Sequence, residues 1–386
     1  MWCPLQSLLL DSQMQPARVG VEPEWMRADF VAQALRVAAR LRATRPRAVA
    51  LHFSDAARMA CAFLACAHEG VAMVLPPNLA ADNLVWACEQ ADVWMTDGHT
   101  PSLAREVANA AQAASDTQAG RGNIEVWTLT DEAILVEEAL HGNLFAQTAQ
   151  TAQTAQTAEQ RAPRSVSNAD DLKGAGQIPA HLLKLDTEVW LKTSGSTGQP
   201  QIIGKTVAQF QAEAEALAQC WSLADEAPVD AVVGSVSPQH LYGLSFRVVL
   251  SLCAGWPIHR MQCVYPESLL AAALPMRRRV WISSPMLLDA LGEDRVGPRL
   301  HDRICRLVSS AGSLSAATRE RLHRQLGILP DEIYGSTETG VIAHRQGSGP
   351  WQPLPSVQRG TDAEGALWVD SPWSGGRRQL ADLVSS

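Results

Sequence analysis

The pattern of helix and strand signals along residues 28–145 constrains the fold of this chain more than any other feature. Apolar residues recur with helical spacing near 30–44 and give way to a short strand-like run at 48–53. Helical spacing returns at 55–69, and another strand-like run follows at 71–75. Strands that alternate with helices pair in parallel, because each crossover needs a helix-length connection. An α/β unit with a largely parallel sheet is expected. With 386 residues, of which 46% are apolar and 19% charged, the chain can bury a large core and build two or three such units.

Several classes are excluded by composition. The net charge of −8 and the lack of a basic block interleaved with aromatics argue against nucleic acid as a partner. The apolar run over 56–77 is interrupted by Arg58, His68 and Glu69, so it is expected to be a buried helix and strand and not a membrane span. Met1-Trp2-Cys3-Pro4 followed by Leu8-Leu9-Leu10 has neither a basic start nor a long apolar centre, and a cytoplasmic protein is expected. The eight cysteines form no CxxC pair and the ten histidines no HExxH arrangement. Reduced, mostly buried thiols are expected, and any metal is held through phosphates and carboxylates, which points to magnesium.

Residues 146–158, in which Ala-Gln-Thr recurs, interrupt the α/β pattern with a low-complexity tract that continues as polar sequence to about 176. The expected division is a first α/β subdomain at 1–145, a low-complexity insert at 146–178, a second α/β subdomain with a phosphate loop at 179–345, and a partial β-rich subdomain at 346–386. Glu188-Val189-Trp190-Leu191-Lys192 and Gln201-Ile202-Ile203 have strand character and flank the loop Thr193-Ser194-Gly195-Ser196-Thr197-Gly198-Gln199-Pro200. Its glycines allow the backbone to approach a ligand and its hydroxyls add donors, as an oxyanion site requires. Thr206 and Gln209 match a capping box, opening a helix on which Val207, Phe210, Leu217 and Trp221 recur. Gly198 and Gly204-Lys205-Thr206 come close to the P-loop of nucleotide triphosphatases. Five residues separate the glycines where that motif has four, and Pro200 with two β-branched residues intervenes before the helix.

A second stretch, Ile333-Tyr334-Gly335-Ser336-Thr337-Glu338-Thr339-Gly340, gathers an aromatic plate, hydroxyls and a carboxylate in a few residues. Such a turn can stack a base, bond a phosphate and hold a cation. The two stretches together, TSGSTGxP and YGSTE in one-letter form, resemble the adenylate-forming superfamily, which includes acyl-CoA synthetases, aryl-acid ligases, luciferases and peptide-synthetase adenylation domains. The resemblance extends from about residue 28 to the last residue. It includes the acyl-pocket segment Pro238-Gln239-His240-Leu241-Tyr242-Gly243, the helix start Ser283-Ser284-Pro285, the strand-end loop Ser310-Ala311-Gly312-Ser313-Leu314, and Gly365-Ala366-Leu367-Trp368-Val369. In Ala381-Asp382-Leu383, Asp382 is similar to the family's ribose-binding aspartate, although Leu380-Ala381 stands where Thr-Gly is usual.

The resemblance implies two packed α/β subdomains with mostly parallel sheets plus the start of a small β-rich subdomain, with the ligand in the crevice between them. It implies ATP and Mg²⁺, a carboxylic acid substrate activated as an acyl-adenylate, and transfer to coenzyme A or an acyl carrier protein. Residue by residue it assigns Thr193, Ser194, Ser196 and Thr197, with Gly195 and Gly198, to the β- and γ-phosphates. Thr337 goes to the α-phosphate, Glu338 to Mg²⁺, Tyr334 to adenine and Asp382 to the ribose, while Gly312 and His240 border the acyl site. The loop together with Lys205 is similar to ligases of aryl polyene pigment pathways, which load aromatic acids onto carrier proteins.

Two departures stand out. Gln201 replaces the lysine that usually follows the loop's proline, and Lys205 is the last lysine of the sequence. The family's smaller C-terminal domain, with its hinge and catalytic lysine, does not follow Asp382, so the sequence matches the large N-terminal domain alone. Three functional readings stay open: a ligase whose second domain is cut away or supplied separately, a module that binds nucleotide or acyl-adenylate without turnover, and an inactive remnant.

Overall fold

The computed structural model describes residues 2–10, 17–116, 124–139, 164–165, 181–193, 200–274, 277–292, 300–301, 303–363 and 365–383. The low-complexity tract at 146–158 lies outside them.

Two large sheets and one small one organise the chain. In the first, Glu188–Thr193, Ala72–Leu75, Ala48–His52, Val93–Thr96 and Ile124–Leu129 run parallel, in that spatial order. Antiparallel strands flank this parallel set, Gln201–Thr206 on one side and Ile134–Ala139 followed by the short Arg164–Ser165 on the other. In the second, Asp331–Ser336, Ile304–Ser309, Arg279–Ser283, Ala231–Gly234, Ile258–His259 and Arg18–Val21 run parallel. Gly340–Gln346 and Trp25–Met26 flank this sheet antiparallel. A third sheet of Gln358–Thr361, Ala366–Asp370 and Arg378–Leu383 is antiparallel throughout. The expected α/β class, with two packed sheets and a small β-rich unit, is what the chain adopts.

Sheet membership departs from chain order at two places. The hairpin Glu188–Thr206, expected to open the second unit, pairs Met73 with Val189 and belongs to the first sheet. Arg18–Val21, which precedes the first helix, pairs with Ile258–His259 in the second. Apolar periodicity indicates that a strand exists, whereas its partner is chosen by long-range packing that local sequence does not encode.

The helices form three layers around the sheets. Arg27–Thr44, Ala56–Glu69 and Val207–Cys220 lie in the central layer, and their apolar stripes (Ala34, Val37, Phe63, Phe210, Leu217) share one core with Leu51 and Leu75 of the first sheet and Val280 and Ile282 of the second. Ala81–Gln90 and Leu103–Asp116 cover the far face of the first sheet, and Pro266–Ala273 and Ala316–Leu326 the far face of the second. Strand residues alternate between these cores as the pleat demands: Val280 and Ile282 face the shared core, Trp281 the outer one. Thr206 opens Val207–Cys220 as expected, its N–H donating to Gln209 Oε1 at 2.8 Å.

All eight cysteines are free thiols, and burial pushes those of Cys61 and Cys66 well above the ordinary range. One histidine cluster escaped a motif search, because its members are distant in sequence. His181 stacks on His68 at 3.6 Å between ring centroids, beside Glu69. Arg42 already holds the Glu69 carboxylate through nitrogens at 3.0 and 2.9 Å, and Lys184 donates to its carbonyl at 2.7 Å. With two cations serving Glu69, the trio works as a packing contact that fixes the chain entering the Glu188–Thr206 hairpin.

The strongest tie across the core is Arg260. Its guanidinium donates from Nε to Asp55 Oδ2 at 2.7 Å and through both terminal nitrogens to Asp131, each at 2.6 Å, while covering the face of Trp25 at 5.1 Å. Asp55 in turn caps Ala56–Glu69 by accepting from Ala57 and Arg58 N–H. Arg260 is 1% exposed and Asp55 2%, so neither charge has a substitute partner in water. Burial pushes the pKa of Asp131 up, but the bonds and charges of Arg260 and Arg58 outweigh it and hold the group below its ordinary 3.8. Because the folded-state value is depressed, this stabilisation is complete above the unfolded-state value and fades as pH falls through the folded-state one. Arg260→Met is expected to cost about 3–5 kcal/mol in urea unfolding at neutral pH. Asp131→Asn should cost less and flatten the loss of stability below pH 3.8; an unchanged acid limb would contradict this role for Asp131.

Candidate functional site

Parallel strands present their C-terminal ends along one edge of a sheet, and in α/β folds that edge faces the ligand crevice. At this edge of the second sheet stand Ser283, Ser309 and Ser336, the last residues of Arg279–Ser283, Ile304–Ser309 and Asp331–Ser336. Residues 310–314 leave the strand end through two left-handed residues, Ala311 at φ 67° and Gly312 at φ 148°. Ser310 Oγ donates to Ile333 O at 3.4 Å and Leu314 N–H to Glu332 Oε2 at 3.0 Å, which holds this loop against the strand of Tyr334. Tyr334 is half-buried and tilts against Trp351 at 5.7 Å between centroids. The structure thus brings Gly312 and Tyr334 to neighbouring strand ends.

The turn 336–340 is built from its own side chains. Ser336 N–H donates to Thr339 Oγ1 at 3.0 Å, Thr339 N–H to Ser336 Oγ at 3.3 Å, and Thr339 Oγ1 to Gly340 O at 2.9 Å. Gly335 is required, because a β-carbon there would collide with the Gly340 carbonyl. Gly340, at φ 68°, is pressed between Glu213 and Trp373 and admits no side chain either. Ser336 and Thr339 are consumed by this scaffold. Thr337 and Glu338 are not: both are half-buried at its tip, and neither side chain has a hydrogen-bond partner among the described residues.

Behind the turn lies a buried node that motif reasoning missed. Glu213 Oε1 accepts from Val341 N–H at 2.7 Å and Oε2 from Ser245 Oγ at 2.5 Å. Trp373 Nε1 donates to Val341 O at 2.9 Å, and Lys205 Nζ to Trp373 O at 2.9 Å and, at a longer 3.5 Å, to Glu338 O. A signal was present in the sequence: Glu213 is a carboxylate on the apolar stripe that contains Phe210, Ala214 and Leu217. Lys205 and Gly204 sit within the strand Gln201–Thr206, which removes the P-loop reading, since that motif needs them in a loop entering a helix.

The remaining expected residues are distributed as follows. Thr193 ends its strand and donates from Oγ1 to Gln201 O at 3.4 Å. Ser194, Gly195, Ser196, Thr197 and Gly198 lie outside the described residues. His240 precedes the short helix Leu241–Gly243, and its Nε2 lies 2.8 Å from Pro77 O, joining loops that follow strands of the two sheets. Tyr242, next to it, buries its hydroxyl between Ser283 O at 3.1 Å and Val308 O at 3.0 Å, and burial raises its pKa well above the ordinary range. It ties the ends of Arg279–Ser283 and Ile304–Ser309 together. Asp382 falls on Arg378–Leu383 in the third sheet; its backbone is described and its side chain is not.

A family model described as AMP-binding enzyme matches residues 17–366, nearly the whole chain. The chain belongs to the AMP-binding enzyme family. Among curated proteins it resembles a 4-coumarate–CoA ligase of Rhodobacter capsulatus, 32% identical over 172 residues, which are 44% of this chain and 43% of that protein. The match thus spans less than half of either sequence. Among solved structures, ATP-bound MatB from Rhodopseudomonas palustris superposes with a TM-score of 0.68 at 20% identity, covering 97% of this chain and 71% of that one. O-succinylbenzoate coenzyme A synthetase (MenE) from Bacillus subtilis, in complex with ATP and magnesium ion, gives 0.69 at 17% identity, covering 97% and 72%. These likenesses establish that the fold is shared. Among the described residues, no helix is long and apolar enough to cross a membrane.

Structural and unspent residues of the family motif should separate cleanly in unfolding experiments. Gly335→Ala is expected to destabilise the fold by about 1–3 kcal/mol, because the turn cannot accept a β-carbon. Glu338→Ala, removing a side chain without a hydrogen-bond partner, should stay within about 0.5 kcal/mol of the parent. Equal losses from both would mean that Glu338 belongs to the scaffold.

Proposed function

We propose that this chain carries the nucleotide- and acid-binding site of an AMP-forming acid–thiol ligase. In the first reaction a substrate carboxylate oxygen attacks the α-phosphorus of ATP and pyrophosphate leaves, giving an acyl-adenylate. In the second a thiol, of coenzyme A or of a carrier protein's phosphopantetheine, attacks the acyl carbon and AMP leaves. The observation that carries this reading is the division of labour in the turn 336–340. Its scaffold is satisfied internally, and one hydroxyl and one carboxylate are held out, half-buried, at the crevice edge.

Adenylyl transfer asks a protein for positioning and charge stabilisation more than for covalent chemistry. Thr337 bonds the α-phosphate in this scheme. The Glu338 carboxylate suits a hard cation that takes oxygen ligands, so Glu338 holds Mg²⁺. When bound, that ion neutralises charge on the phosphates. Thr193, Ser194, Ser196 and Thr197, with the backbone at Gly195 and Gly198, cradle the β- and γ-phosphates. Tyr334 stacks the adenine, Asp382 bonds the ribose hydroxyls, and Gly312 and His240 border the acyl group. The acid's class follows from neither fold nor motif; an aromatic acid transferred to a carrier protein is the narrower reading to test first.

Gln201 supports a second reading. It is exposed at the first position of its strand and brings no positive charge to the phosphates, which favours nucleotide binding without turnover. Calorimetry with ATP and Mg²⁺ tests what both readings share: binding is expected below millimolar Kd, and Glu338→Ala should abolish most of its Mg²⁺ dependence. Lack of binding at millimolar ATP overturns both. Acid-dependent exchange of pyrophosphate into ATP then separates them, since only a ligase supports it.

A further inference from the structure

Lysine is among the residues least often buried, and burying an ammonium among backbone groups costs more than covering the same space with an apolar chain. Lys205 is nevertheless 5% exposed. Its nitrogen faces two carbonyl oxygens, those of Trp373 and Glu338, with no direct carboxylate partner among the described residues. The three chain segments that meet at this ammonium are the ones the proposed function assigns to ATP. Lys205 itself lies in Gln201–Thr206, the strand that follows the Ser/Gly-rich stretch and pairs with Glu188–Thr193. Glu338 O belongs to the turn that holds out Thr337 and Glu338. Trp373 O belongs to the turn between Ala366–Asp370 and Arg378–Leu383, the strand of Asp382.

We propose that Lys205 is a positioning residue for nucleotide: its ammonium locks the phosphate hairpin, the metal turn and the ribose strand into one geometry before ATP arrives. This inference rests on the adenylate-forming reading above. A bare turn of five residues samples many orientations of its tip, and a ligand that must order it loses that entropy from its affinity. Fixing the Glu338 backbone from behind removes this loss while leaving the carboxylate itself unbound. Val341 in the same node is held without Lys205, by Glu213 on its N–H and by the Trp373 indole on its carbonyl. Glu338 O differs, since Lys205 is its side-chain donor among the described residues. Burial lowers the pKa of Lys205, an effect that the charges of Glu213 and Glu338 oppose and that of Arg378 reinforces.

The test compares calorimetric Kd values for MgATP and for metal-free ATP in the full chain. Lys205→Met keeps the side chain's length and removes the ammonium; Lys205→Gln serves as a second variant in case the first does not fold. Either is expected to raise the Kd for MgATP about tenfold or more. The Kd for metal-free ATP should rise less, so that the ratio of the two changes. Trp373→Phe loosens the same node by removing the indole donor and keeps the Trp373-position carbonyl, so it should lower thermal stability without changing that ratio. An unchanged ratio in both lysine variants, or the same change in Trp373→Phe, overturns the proposal. If the parent chain binds no MgATP at all, the functional reading fails first and this inference falls with it, an outcome distinguishable from a parent that binds and a Lys205 variant that binds equally well.

Discussion

One buried guanidinium ties the two large sheets to each other. Arg260 leaves the second sheet just beyond Ile258–His259 and ends in the capping carboxylate of a helix that packs on the first. The backbone follows the same path, with Ala56 N–H donating to Arg260 O at 2.8 Å and Asp55 bridging to Met261. A purely apolar core would hold the two sheets together with little preference for one orientation, because dispersion and burial are not directional. The bidentate pair with Asp131 and the shared bond to Asp55 add direction. The meeting of loops from the two sheets, as where His240 Nε2 lies 2.8 Å from Pro77 O, depends on that orientation.

The same economy governs the candidate site. Polar groups behind the turn 336–340 are paired with one another or with backbone, and those in front of it are left open. Glu213, Lys205 and the Trp373 indole serve the first role, Thr337 and Glu338 the second. A buried carboxylate and a buried ammonium are each expensive, and a protein that keeps both a few residues from a ligand-binding motif is using them to hold shape.

How much of this could be read from sequence differed by length scale. Helices such as Ala56–Glu69 and strands such as Glu188–Thr193 were visible because their apolar spacing and caps are local properties. The turn 336–340 was visible because its residue types are dictated by its own geometry: glycine where a carbonyl passes, hydroxyls where they bond each other. Sheet partners were hidden, as was the pairing of Arg260 with Asp55 and Asp131, because nothing near any of these residues names the others. Lys205 is legible only as a lysine close to the loop; its burial behind the turn 336–340 depends on the carbonyl of Trp373, between two strands of the third sheet, reaching it. Glu213 was legible only as an anomaly, a charge on an apolar stripe.

The exchange of strands between the sheets also sets an order of events during synthesis. Arg18–Val21 is synthesised long before its parallel neighbour Ile258–His259, and the first sheet lacks its edge until the hairpin ending at Thr206 has emerged. Until Ile258–His259 emerges, Arg18–Val21 is paired on one side only, with Trp25–Met26, and its other edge is open to pairing with a foreign strand. High contact order of this kind slows folding and exposes the nascent chain to aggregation. That open edge follows directly from where one four-residue strand finds its parallel neighbour.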